Sequence, residues 1–123
     1  MKKQVVIGAI VAMLAVALGA FGAHMLKERI SEDMLSVYHT GVEYQMYHGL
    51  GILIIALLME RLPRQKLARW AARLLLIGTV LFSGSLYVLA LSGIKVLGAI
   101  TPFGGVAFIA GWICLVLATR PAK

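Results

Sequence analysis

Four stretches without a charged residue, 5–23, 44–59, 74–94 and 96–119, take up most of this 123-residue chain. Nothing else constrains its fold as strongly. A helix crosses roughly 30 Å of hydrocarbon with about 20 residues, and about 17–25 are tolerated. The first and third stretches meet that length directly. The second meets it by including Glu43 or Glu60 at headgroup level, and Pro63 then stops it. A lone strand in lipid leaves its backbone unpaired, so each stretch is read as a helix. The pattern predicts an all-α, polytopic membrane protein, a bundle of four transmembrane helices over about 4–26, 43–62, 70–93 and 97–119. The whole of 1–123 forms one membrane domain in this reading. With 61% hydrophobic residues and mean hydropathy +0.93, a soluble domain of this size is excluded.

The fourth stretch carries an internal mark, "GAITPFGG". Thr101 then Pro102 reads as N-cap and N1, which starts a helix there. Residues 94–100 then form a short outer connection in the interface. The alternative is a helix from Val96 kinked at Pro102, and the first is preferred.

Charge placement sets the threading. The formal net charge of +7 comes from basic residues clustered at the ends of apolar stretches, not from a solvated basic face. Membrane orientation and anionic headgroups explain that excess better than nucleic acid does. Nine basic residues fall in the N-terminal, 61–73 and C-terminal segments, against three, Lys27, Arg29 and Lys95, in the alternate ones. The positive-inside rule therefore puts both termini in the cytoplasm. "MKK" followed by an apolar run ending in "LGAFGA" also resembles a signal peptide. The run is longer than a usual h-region, and its removal would spoil the charge asymmetry, so an uncleaved first helix is expected.

Small residues predict how the helices meet. Gly8, Ala12, Ala15, Gly19 and Gly22 step by fours and threes along helix one. Ala71, Gly78, Ser85 and Ser92 repeat by sevens on helix three, and helix four offers Gly104, Ala107, Gly111 and Ala118. Without a hydrophobic drive in lipid, close backbone approach must hold helices together. Such seams serve packing within the chain or a self-association face. Trp70 and Trp112 fit an inner aromatic belt, with Tyr38, Tyr44 and Tyr47 near the outer surface. Ser31 is a plausible cap for a short interfacial helix over 31–42 that runs into helix two.

Chemistry could sit only in "HTGVEYQMYHG", residues 39–49. His39 and Glu43, like Tyr44 and His48, are four apart and meet on a helix face. Gln45 points elsewhere. With His48 about a turn into the apolar region, an outer-leaflet polar cluster of His24, Glu43, Tyr47 and His48 is expected, with Tyr87 and Thr101 near it. Three readings stay open: a hydrogen-bonded clasp that fixes helix register, a proton-linked ligand site, and a metal or redox-cofactor site. The clasp is preferred. No HExxH, GxSxG or phosphate-cradling loop exists, and Cys114 stands alone, without a disulfide partner or a CxxC-type metal site. No metal, cofactor or catalytic set is assigned. Small multidrug antiporters match in size but need a carboxylate midway along a helix, which this chain lacks. A passive pore built by oligomers remains open.

"GAFGAHML" (19–26), "YHTGVEYQMYHGLGIL" (38–53), "LFSGSLYVLALSG" (81–93) and "LGAITPFGGVAFIAGW" (97–112) together resemble one family. It is the domain of unknown function 423 family of small bacterial inner-membrane proteins, which is similar to eukaryotic transmembrane protein 256. The resemblance spans nearly the whole chain. It implies a plasma-membrane protein of about four helices and implies no reaction. The expectation is a non-catalytic packing or accessory subunit, surrounded by lipid and associating with itself or with a larger membrane complex. The alternative is an oligomeric pore or carrier for a small solute or ion, with His48 and Glu43 at its outer mouth.

Overall fold

The fold is described from a computed structural model, covering residues 1–122. Helix α1 (Lys2–Phe21) is a run of Ala, Val, Leu and Gly that widens into a π-helical turn over Gly22–Leu26. Ser31 then caps α2 (Glu32–Leu58). Its backbone is extended and its Oγ accepts from the Met34 N–H at 3.1 Å. Glu32 and Asp33 in the first turn complement the helix dipole.

From that cap α2 runs unbroken for 27 residues, about 40 Å at 1.5 Å per residue. Helix two therefore begins at Glu32, not near 43, and the expected interfacial helix is its first three turns. No proline interrupts 32–58, and Gly41 is held by packing, since a Cβ there would lie 2.8 Å from Tyr87 Cε1. A 3-10 turn (Met59–Arg61) and Pro63 end the helix.

Helix α3 (Gln65–Ser92) also starts earlier than the apolar stretch suggests, because Gln65, Lys66 and Arg69 are good helix formers that reach the surface. It stops at Gly93, whose φ of 73° closes the last turn with an N–H to Leu89 O. A 3-10 turn over Lys95–Ala99 leads into α4 (Thr101–Ala118). The N-cap is Ile100, one residue before the expected Thr101, and Pro102 lies within the first turn, where a missing N–H costs nothing. No helix is kinked at Pro102.

Consecutive helices pack antiparallel: α1 on α2, α2 on α3, and α3 on α4. The small residues of α1 lie against α2. A Cβ on Gly8 would meet Leu53 at 2.9 Å, and Gly19 and Gly22 approach Val42 and Tyr38. Ala15 is fully buried, while Ala12 is half-buried with its N–H over Gly49. Gly78 lies beneath the Phe108 ring, and Gly104 lets α4 ride directly on the Phe82 backbone. Gly111 sits 3.1 Å from Ala71 O by the same measure.

Two apolar clusters result. Ile52, Ile55, Met59, Leu75 and Phe108 pack toward the 59–65 end, and Leu26, Tyr38 and Ala90 toward the other. Between them lies a buried polar layer of Gln45, His48, Thr79 and Ser83.

Candidate functional site

The polar layer follows from one stripe on α2. Tyr38, Gly41, Gln45, His48, Ile52 and Ile55 step by threes and fours, Met59 continues the stripe into the 3-10 turn, and all seven are buried. Glu43, Tyr47, Leu50 and Ile54 step along the opposite side, and all four are exposed. Five residues separate Glu43 from His48, about 140° around the helix. The two therefore point apart.

Gln45 is the hub. Its Nε2 donates to Val11 O on α1 at 3.0 Å, and its Oε1 accepts from Tyr87 Oη on α3 at 2.5 Å. One amide thus joins three helices. Seven residues earlier on α2, Tyr38 Oη donates to Leu18 O, which is seven residues later on α1. The matched heptad spacing keeps both donors on the same antiparallel seam. Ser83 Oγ adds a bond from α3 to Gly41 O at 2.6 Å.

His48 makes the connection to α4. Its Nδ1 is 2.8 Å from Tyr44 O, and its Nε2 is 3.2 Å from Trp112 Nε1. A carbonyl only accepts and an indole N–H only donates, so the hydrogen is on Nδ1 and the ring is neutral. Phe108 stacks on the imidazole at 3.6 Å with 4° between planes, and Tyr44 flanks it. Both imidazole nitrogens and both amide atoms of Gln45 are engaged. Thr79 and Ser85 hydroxyls reach their own helix carbonyls, Leu75 O and Phe82 O.

The expected outer cluster is not one assembly. His48 and Tyr87 belong to the buried layer, Tyr87 through Gln45. Glu43 and Tyr47 form their own exposed pair, Tyr47 Oη donating to Glu43 Oε2 at 3.2 Å. Thr101 bonds Ser85 Oγ at 2.6 Å across α3 and α4. His24 is exposed on the π-helical turn. The layer also lies near the middle of α2 rather than at its start. His48 lies 16 residues into α2, about 24 Å from its start, and only ten residues before its end. The expected position near the start of helix two followed from starting it near residue 43.

Gln45, Tyr38, Ser83 and Trp112 are the members that sequence reasoning missed. The three-four stepping of the Tyr38 stripe was the available signal for Gln45. Trp112 looks like a belt residue by composition, and only the approach of α4 over Gly51 brings its ring to His48, since a Cβ on Gly51 would lie 2.9 Å from Trp112 Cη2. Among the described residues, no group of three His, Cys, Asp or Glu is placed to hold a metal ion.

Comparison with known proteins supplies the kinship. The model of the family described as "Protein of unknown function (DUF423)" matches residues 18–105. The chain belongs to that family. It is 52% identical over 118 residues to UPF0382 membrane protein YwdK of Bacillus subtilis (strain 168), covering 96% of each chain. It is 50% identical over 119 residues to a UPF0382 membrane protein of Staphylococcus epidermidis (strain ATCC 12228), covering 97% of this chain and 96% of the relative. No solved structure matches the chain. The relatives are membrane proteins by name, and all four helices here are long and apolar enough to cross a bilayer. The chain is therefore a membrane protein of an uncharacterised family.

Proposed function

We propose that the protein is a non-catalytic packing or accessory subunit of the bacterial plasma membrane, with both termini in the cytoplasm. One observation carries this reading: the buried polar side chains of α2 and α3 are engaged with neighbouring helices or with their own backbone. A buried polar group left without a partner would mark a place for a ligand, and among the described residues this layer has none. Here Gln45, Tyr87, His48 and Trp112 satisfy one another, and Phe108 covers the imidazole. Such a layer fixes helix register, as buried polar groups do in lipid. The cytoplasmic placement of both termini rests on the excess of Lys and Arg at that end.

The alternative, an oligomeric pore or carrier with its mouth at His48 and Glu43, has less support, because those residues face opposite sides of α2. The small residues of α1, α3 and α4 are largely taken up in contacts within the chain, so association has to use other faces.

Native mass spectrometry on protein released gently from its own membrane tests the proposal. The expected species is heavier than the chain alone and contains a second polypeptide. A bare monomer contradicts an accessory role, and a bare homo-oligomer that conducts ions in liposomes supports the pore instead.

A further inference from the structure

Helix α1 packs on α2 but stands off α3, and a groove runs between α1 and α3. Two adjoining cavities make it up, of about 330 and 490 Å³, and Ile7 and Leu76 line both. Its floor in the larger cavity is Gln45 with Tyr87, but those two already bond each other, so the walls offer mainly apolar surface from Ile10, Leu14 and Val80. At the smaller cavity the lining changes character: Lys3 from α1 and Arg69 and Arg73 from α3 stand around it, with Gln4. Gln4 Oε1 is buried there without a hydrogen-bond partner. Of the chain's five carboxylate side chains, only Glu60 belongs to this end, so the three cations are not neutralised by their own surroundings.

Trp70 marks the level of this mouth. It is exposed, and the Arg73 guanidinium lies over its ring, 5.0 Å from the centroid. Tryptophan with a basic partner at a helix end sits at headgroup depth. From Lys3 to Leu18 the groove follows fifteen residues of α1, about 22 Å, more than the roughly 15 Å of hydrocarbon in one leaflet. A cationic mouth at headgroup level above an apolar groove long enough for an acyl chain has the shape and charge to take a lipid monomer. Basic pockets between transmembrane helices bind anionic headgroups on this principle.

We propose that the α1–α3 groove is a binding site for one anionic phospholipid, its phosphate held by Lys3, Arg69 and Arg73 and an acyl chain laid along Ile7, Leu76 and Leu14. The site does not depend on which side of the membrane the mouth faces, nor on the accessory role.

The test uses the intact protein in nanodiscs of phosphatidylcholine containing a minor share of phosphatidylglycerol with the same acyl chains. Native mass spectrometry reads which lipid stays bound after ejection. Wild type is expected to retain one phosphatidylglycerol in preference to phosphatidylcholine. Each of Lys3→Gln, Arg69→Gln and Arg73→Gln should reduce that preference, by about fivefold per charge removed. Arg61→Gln with Lys66→Gln, at the same end but outside the groove, should leave it unchanged. Leu76→Trp, which fills the groove and keeps every charge, should also abolish retention. Equal retention of the two lipids by wild type overturns the proposal without need of any variant. So does an equal loss in the Arg61 and Lys66 control, which would mean diffuse attraction. An excess of inorganic phosphate should not displace the lipid, and displacement would mean that only an anion site exists.

Discussion

The indole N–H of Trp112 on α4 meets Nε2 of His48 on α2 at 3.2 Å, while Nδ1 of the same ring is tied to Tyr44 O at 2.8 Å. Two partners of opposite kind leave the imidazole one tautomer. Nitrogen-15 NMR of the protein in bilayers should therefore show His48 protonated at Nδ1. An Nε2-protonated or rapidly exchanging ring would mean that the Trp112 contact is not formed. Trp112→Phe should release that constraint and cost about 1–2 kcal/mol, since it removes both the donor and the ring edge that covers Gly51.

Glu43 and Gln45 should respond to substitution in opposite ways. Gln45→Leu leaves Tyr87 Oη without its acceptor and removes the tie to Val11 O, so a loss of about 1–3 kcal/mol is expected. Glu43→Gln touches only the exposed pair with Tyr47 and should stay within about 0.5 kcal/mol. Reversible unfolding in mixed micelles measures both. A large effect at Glu43 with a small one at Gln45 would restore the outer cluster as the important set.

Two adjacent glycines on α4 give a sharper steric contrast. Gly104→Ala drives a methyl into the Phe82 backbone and should destabilise the α3–α4 pair by about 1–3 kcal/mol. Gly105→Ala meets nothing within 4 Å and should be neutral or slightly stabilising. Equal tolerance at both sites would show that α4 does not ride this closely on α3.

Threading is tested independently of packing. Reporter fusions or cysteine labelling should place Arg64, Lys2 and Arg120 on the cytoplasmic side and Lys95 outside. Cytoplasmic activity of a reporter at Lys95 would reverse the arrangement.

The number and apolar character of the helices were legible because lipid allows few alternatives for an uncharged run of about 20 residues. Where α2 begins was harder to see. Glu32 and Asp33 look like loop residues by charge, yet behind the Ser31 cap they are a good first turn. That one boundary moves the site along the helix: counted from residue 43, His48 lies in the second turn, and counted from Glu32, in the fifth. The mutual bonding of Gln45 with Tyr87 and of His48 with Trp112 was beyond periodicity, which gives a residue's face but not the register of the helix opposite. The small-residue steps on α1 did point to its α2-facing side, since Gly8, Ala15 and Gly22 all lie there.

The central claim is that the buried polar layer is a clasp between helices. A double-mutant cycle on Gln45→Leu and Tyr87→Phe, read by unfolding in bilayers, tests it most directly. Interhelical hydrogen bonds in lipid average about 0.6 kcal/mol and reach about 1.7. The account predicts a coupling in that range between the two substitutions. Strictly additive effects would contradict it: the amide and the phenol would then be free for another duty, and the non-catalytic reading would lose its support.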